Sequence, residues 1–382
     1  MIRSKLGSTG ESIFSVMTAL ANSHDAINLA QGFPGFEPDA RIFDFTRAAM
    51  DNGENQYAPM RGMPELNAFL CQMLNDAHKT NLHPDKNLTI TAGATQAIFT
   101  AISALVNPGD EVIVFDPAYD CYKPAIKLAG GKVRSISLDD SFQIPWDQFA
   151  DALSDHTRLV IVNTPHNPGG TTFTEADWER LASLIENKPT LVLSDEVYHE
   201  MTFDGRVHHS VLACSALQER ALATYSFGKS FHITGWKVGY IAGAENLMRE
   251  YHKVHQYNVF SVHRPSQVGL LHYMQQAPGV RDEIAPFYQK KRDVLFEALA
   301  DTPLRPRPCQ GSYFGLFDYR ELSQEPDVEF AHRLTREAGV ATIPISVFYE
   351  TPPDQHLIRI CFAKKDKTLR QAADQLRRYC QS

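Results

Sequence analysis

LTITAGATQAIFTAISALVNPGDEVIVFDPAYD, residues 88–120, switches between two periodicities. LTIT (88–91) is a short strand-like run. In the AGATQAIFTAISALV that follows, apolar residues return at helical spacing. EVIVF (111–115) is again strand-like and leads through DPAYD toward a further helix. The alternation continues outward with VRSIS (133–137), RLVIVN (158–163), TLVLSD (190–195), ALATYSF (221–227) and VGYIAG (238–243). Several of these runs are apolar at consecutive positions, the pattern of strands covered on both faces. Seven strands alternating with helices predict an α/β fold with a mostly parallel seven-stranded sheet and crossover helices.

Beyond 245 the pattern changes. Helical periodicity runs through 245–257, 266–276 and 280–300, followed by a Pro-rich joint, TPLRPRP (302–308). SYFGLFDY (312–319), a helix near 327–338, LIRICFA (357–363) and a last helix near 366–380 complete the chain. These segments predict a smaller α+β domain. The strand–helix series begins only near residue 85, so the N-terminal segment is assigned to that domain too. The expected division is a large domain at 45–280 and a small one made of 1–44 with 281–382, with a substrate cleft between them.

A chain of 382 residues is long enough for two or three lobes. Its net charge of −8 argues against a protein built to coat nucleic acid. No apolar run approaches the roughly 18 residues of a membrane helix. The N-terminus, MIRSKLGSTGESIFSVMTALA, has no continuous apolar stretch and reads as the start of the fold. Cysteines stand at 71, 121, 214, 309, 361 and 380, with no CxxC pair and no His at metal-ligand spacing. They read as core thiols of a cytoplasmic protein, with no metal site.

Four segments carry chemistry. In YSFGKSFHITGWKVGYIAG (225–243), Lys229 sits between Gly228 and Ser230 just after a strand. Alone it reads as a solvated loop residue; desolvated in a cleft, its amine would form a Schiff base with an aldehyde cofactor. In LVLSDEVYHE (191–200), Asp195 ends a buried strand, where α/β sheets place ligand sites, and Tyr198 follows. Such a carboxylate keeps a pyridine nitrogen protonated, or else caps a helix starting at 196. In IVNTPHNPGG (161–170), Asn167 either aims its amide at a ligand or belongs to an ordinary N-P-G turn. TAGATQA (91–97) is a strand–turn–helix junction able to bind a phosphate, without a Walker or dinucleotide fingerprint.

Together these segments, in this order, resemble the pyridoxal-phosphate aminotransferases of fold type I, the class I/II group. The likeness covers nearly the whole chain and includes NLAQGFPGF (28–36), NQYAPMRGMPEL (55–66), FDPAYDCY (115–122) and LIRICFAK (357–364). It implies pyridoxal 5′-phosphate on Lys229, with Lys229 also carrying the proton of the 1,3-shift. By the same resemblance Asp195 pairs with the pyridinium nitrogen, Asn167 and Tyr198 hold the ring 3-oxygen, and Tyr119 stacks on the ring. Ala94, Thr95, Ser226 and Lys237 bind the phosphate. Tyr57 reaches the neighbouring subunit's phosphate, which implies a homodimer. Arg359 clamps the substrate α-carboxylate, and Gly32 lines that end with its backbone. Many relatives have Arg where this chain has Lys237, so a point charge replaces a bidentate fork.

Lys at 237 is typical of the branch holding kynurenine, glutamine and methionine aminotransferases. QGFPGF, NQYAPMRG, TAGATQA, NTPHNP and VHQYNVFSV look most similar to its bacterial methionine enzymes. That likeness implies that Phe260 enters the partner's substrate pocket, with Ile13, Phe14 and Phe33 adding apolar surface; plain packing is the alternative for these four. No second Arg in a recognised motif awaits a side-chain carboxylate. The expected reaction moves the amino group of methionine or an aromatic amino acid to a 2-oxo acid. Kynurenine or glutamine transamination and β-elimination from cysteine conjugates are the rival activities. A ligand-sensing regulator is disfavoured, because the fold's own motifs start by about residue 13 and leave no room for a DNA-binding domain.

Overall fold

The computed structural model describes residues 4–7 and 10–381; the remainder of the segment 1–10 and Ser382 lie outside the described residues. The seven strand-like runs form one sheet: β1 (Leu88–Thr91), β2 (Glu111–Asp116), β3 (Lys132–Ser137), β4 (Thr157–Asn163), β5 (Leu191–Asp195), β6 (Ala221–Ser226) and β7 (Gly239–Gly243). Their order across the sheet is β1-β7-β6-β5-β4-β2-β3. β2 through β6 pair in parallel, and β7 runs antiparallel to both β6 and β1. The connection 227–238 explains the reversal. It holds one helical turn, Phe227–Ser230, and a 3-10 turn, Thr234–Trp236, but no crossover helix to carry the chain back to the starting edge.

Every position of β1, β2, β5 and β7 is buried. Alternation then divides the side chains between two cores. Leu191 and Leu193 of β5 pack with Ile98 and Ile102 of the helix Gly93–Leu105. Val192 faces the opposite core, with Trp178, Tyr225 and Tyr240. Each such fully buried apolar side chain contributes roughly 1.5–3 kcal/mol.

The helix expected to start at 196 does not form; residues 197–200 are a turn. Glu196 is the physical reason. Its backbone N–H continues the ladder to Thr224 O, while its buried carboxylate accepts from His208 Nε2 (2.9 Å), Tyr225 OH (3.0 Å) and Val211 N–H (2.9 Å). A side chain drawn under the sheet pins the backbone where a helix would begin.

A second sheet of four antiparallel strands has the order Ile343–Pro344, Leu357–Cys361, Phe314–Asp318, Arg305–Pro306. From the other end of the chain, Ile27–Asn28 pairs in parallel with Val340–Ala341, and the helix Ile13–Ser23 packs on Asp327–Glu337. This seats the segment 30–36 beside Leu357–Cys361, with Cys361 N–H bonded to Leu29 O and Gly35 N–H to Ala363 O. Among the described residues no helix is long and apolar enough to cross a membrane, and all six cysteines are free thiols.

Candidate active site

The carboxyl ends of the parallel strands open into a cleft with a cavity of about 140 Å³. Ala94, Thr95, Tyr119, Asn167, Asp195, Tyr198, Ser226, Lys229 and Lys237 all line it. Of the cofactor contacts read from the sequence, only Tyr57 lies elsewhere.

Lys229 rides on the single helical turn after β6. Gly228 makes that turn possible, because a Cβ there would lie 2.9 Å from Thr234 Cα. The Lys229 amine donates to Tyr313 OH at 2.6 Å and to Gly32 O at 3.3 Å. Burial lowers its pKa from 10.5 to about 8.

Asp195 is held at the end of β5. Its Oδ2 accepts from Tyr122 OH at 2.5 Å, and its Oδ1 from Val197 N–H at 3.4 Å. Burial raises the carboxyl to about 6, with these hydrogen bonds working the other way. Asn163, at the end of β4, supports both neighbours: its amide donates to Asp195 O at 2.8 Å, and its Oδ1 accepts from Asn167 N–H at 2.7 Å.

Arg359, 1% exposed, points from Leu357–Cys361 toward Asn167. Its Nη1 donates to Asn167 Oδ1 at 2.9 Å and its Nη2 to Ala30 O at 3.0 Å. The guanidinium lies 3.9 Å above the Phe314 ring, with Phe14 and Phe348 at 5.3 and 5.6 Å. Its Nε–H is buried with no partner among the described residues, so the fork keeps a donor to offer an anion.

At the other end of the cleft the helix Gly93–Leu105 begins. Gln96 Oε1 takes the Ala92 N–H at 2.9 Å, which leaves the N–H groups of the first turn, at 93–95, for a ligand. Gly93, at φ +78°, would place a Cβ 3.4 Å from Lys237 Cε, so the Lys237 chain stands over the helix start. A Cβ at Gly239 would meet Ala94 N at 3.3 Å and Tyr225 O at 2.4 Å. A cradle that any Cβ would fill, beside a helix N-terminus and a lysine, suits a phosphate. Thr95 Oγ1 and Tyr119 OH lie 3.2 Å apart at its rim.

Five predicted contacts, Tyr57, Phe260, Phe33, Gly32 and Arg359, are not among the residues that line the cleft within one chain, although Arg359 bonds to Asn167, which does line it. Tyr57 and Phe260 meet edge-on at 5.5 Å on the surface, 80% and 45% exposed. Phe33 is 47% exposed, with Lys364 Nζ 4.5 Å from its ring. Gly32 was expected at the carboxylate end; its carbonyl faces Lys229 and Tyr313, and Ala30 meets Arg359. A Cβ at Gly32 would strike Phe314 at 2.8 Å. Of the two apolar contributors near the N-terminus, Phe14 flanks Arg359, whereas Ile13 is half-buried at the start of its helix. Tyr122, Asn163 and Tyr313 escaped the sequence reading. Tyr122 stands in the quoted FDPAYDCY, three residues after Tyr119, and was within reach; Tyr313 meets Lys229 across 84 residues, with no local signal.

The family model for aminotransferase class I and II matches residues 24–376. Methionine aminotransferase of Escherichia coli (strain K12) is 46% identical over 376 residues, 98% of this chain and 97% of that one. Kynurenine–oxoglutarate transaminase 1 of Mus musculus is 33% identical over 392 residues, covering 94% of this chain and 92% of its own. A crystal structure from Escherichia coli, identified as having a methionine aminotransferase function, superposes with a TM-score of 0.97 at 46% identity and covers 99% of each chain.

Proposed function

The chain belongs to the class I and II aminotransferases, and on that premise we propose that it transfers the amino group of methionine, and of aromatic amino acids, to a 2-oxo acid. The observation that carries this is the convergence of Lys229, Asp195 and the Asn167–Arg359 pair on one cleft. The residues fit pyridoxal 5′-phosphate: an amine for its aldehyde, a carboxylate for its ring nitrogen and a cradle for its phosphate. When bound, that group supplies an electron-poor ring that takes up the electron pair left behind when the substrate's α-proton departs.

The protein's own groups do the rest. Ala94, Thr95, Ser226 and Lys237 anchor the phosphate at the helix start, and Tyr119 covers the ring. Asn167 spends its Oδ1 on Arg359, so its NH₂ is left, with Tyr198 OH, for the ring 3-oxygen. Asp195, kept ionised by Tyr122 OH and Val197 N–H against its burial, holds a proton on the ring nitrogen. Arg359 fixes the α-carboxylate, which aims the Cα–H at Lys229. Lys229, its pKa lowered to about 8, takes that proton and returns it one atom away. The bulk of the cofactor contacts come from a large domain at 45–280, and the substrate clamp from a small one made of 1–44 with 281–382. Two copies pair as a cytoplasmic homodimer, with Tyr57 and Phe260 reaching the neighbouring site.

The aromatic rings around Arg359 favour apolar and sulfur-containing side chains; a thioether gains about 0.3–1.5 kcal/mol per aromatic contact. An unpaired carboxylate there would be costly to bury. Likeness to the Escherichia coli methionine enzyme supports the same choice. The test is kcat/KM for methionine, phenylalanine, kynurenine, glutamine and aspartate with one common acceptor, and pyruvate release from a cysteine conjugate. Methionine and phenylalanine should lead and aspartate should be poor. A clear preference for aspartate would overturn the specificity; a lead by kynurenine, glutamine or β-elimination would move the protein to that activity.

A further inference from the structure

Tyr313 is fully buried, and rings hold it on several sides: Tyr198 edge-on at 5.1 Å, Phe314 at 4.8 Å and Tyr288 at 5.7 Å. Its hydroxyl cannot swing to solvent. The hydroxyl donates to Gly32 O and accepts from Lys229 Nζ at 2.6 Å, while Lys229 also donates to Gly32 O at 3.3 Å. The three groups close a triangle, with Gly32 O accepting from both Tyr313 and Lys229. Because the phenol proton is committed to Gly32 O, an oxygen lone pair faces the amine. Burial keeps that phenol protonated, so Tyr313 orients the lysine and takes no proton from it.

The mechanism needs such a seat. Lys229 would hold pyridoxal phosphate through its amine and would be free of it while an amino-acid substrate is bound. During that interval a free amine on a flexible four-carbon stem must stay within reach of one Cα–H. A misplacement of about 1 Å costs on the order of 100-fold in rate. We propose that Tyr313, with the carbonyl of Gly32, is the positioning residue that docks the freed Lys229 amine. Two N–H groups of the neutral amine point at the Tyr313 and Gly32 oxygens, so its lone pair faces the cleft. There it is placed to accept the substrate's α-proton and become an ammonium, the C–H electron pair being what a bound pyridoxal phosphate would take up. The same ammonium later gives that proton back. This inference rests on the transamination reading above.

The test is Tyr313→Phe, which keeps the ring packing and removes only the hydroxyl. Cofactor loading is checked first, by borohydride trapping at Lys229 in both proteins. The loaded variant should lose about tenfold or more in kcat, about 1.4 kcal/mol per decade, with KM for methionine little changed. Methionine deuterated at Cα should show a larger isotope effect on kcat than in the parent enzyme. A readout independent of turnover is the pH profile of pyridoxal-phosphate capture by the cofactor-free protein. Losing an acceptor that favours the ammonium should move that profile to lower pH, by about half a unit to one unit. Should the Phe variant fold poorly, 3-fluorotyrosine at 313 weakens the acceptor at near-constant volume, and should shift both readouts in the same direction by less. Unchanged isotope effect and capture profile in a loaded variant would overturn the proposal alone. Failure of the parent enzyme to trap cofactor at Lys229 would overturn the transamination reading and this inference together.

Discussion

Arg359 shows how burial turns an ordinary side chain into a selective one. Its guanidinium is flat against Phe314 and spends two donors on Asn167 and Ala30, so what remains is a directional socket. Lys cannot reproduce that fork. Arg359→Lys should lower kcat/KM about 100-fold or more, mostly through KM, since a buried charged hydrogen bond is worth about 2–5 kcal/mol when one partner goes; steady-state kinetics with methionine measure it. Asp195 carries a pH signature. Its carboxyl is raised from 3.8 to about 6 by burial, so in the cofactor-free protein the native state keeps a proton that the unfolded chain releases. The cofactor-free protein should therefore lose stability as pH rises from about 4 through about 6, on the order of 3 kcal/mol in all. Asp195→Asn should remove that slope. Urea denaturation of both proteins across this range is the check, and parallel pH curves would show that Asp195 is not the group responsible.

Elements were legible where a single physical cause dominates. Strands covered on both faces announce themselves as continuous apolar runs; all seven strands of the large sheet stood at the strand-like segments, including the mostly exposed edge strand β3, which is not such a run. Strand direction is not written in such a run, so β7 could be located without its antiparallel sense. The turn at 197–200 was hidden for another reason: Glu196 looks like a helix-start acid until the sheet beneath it supplies His208, Tyr225 and Val211. Within the cleft, residues at strand ends were readable because strand ends are where such sheets bind. Tyr313 was not, since it meets Lys229 only through how distant elements come together, and Asn163, although at a strand end, was passed over because its role is to brace Asn167 and Asp195. The tightest such meeting joins β7 to β6 and the cradle helix. At Gly239 a Cβ would stand 2.4 Å from Tyr225 O and 3.3 Å from Ala94 N. Gly239→Ala should lower the melting temperature, at about 1–3 kcal/mol, and weaken pyridoxal-phosphate retention together. Loss of stability with retention untouched would separate β7 packing from the phosphate cradle.

At the scale of the whole molecule, both chain ends fold back to serve a cleft built in the middle. Ile27–Asn28 joins Val340–Ala341, which carries Ala30 and Gly32 to Arg359 and Lys229. The central claim is that all of this architecture converges on one amine. Borohydride reduction of the intact enzyme with pyridoxal phosphate bound, followed by intact-mass and peptide mapping, addresses it most directly. One reduced adduct per chain should appear, on the peptide containing Lys229, and Lys229→Ala should show none and lack the protein-bound visible band. An adduct on Lys237 or any other lysine, or undiminished trapping in Lys229→Ala, would remove Lys229 from the centre of the chemistry.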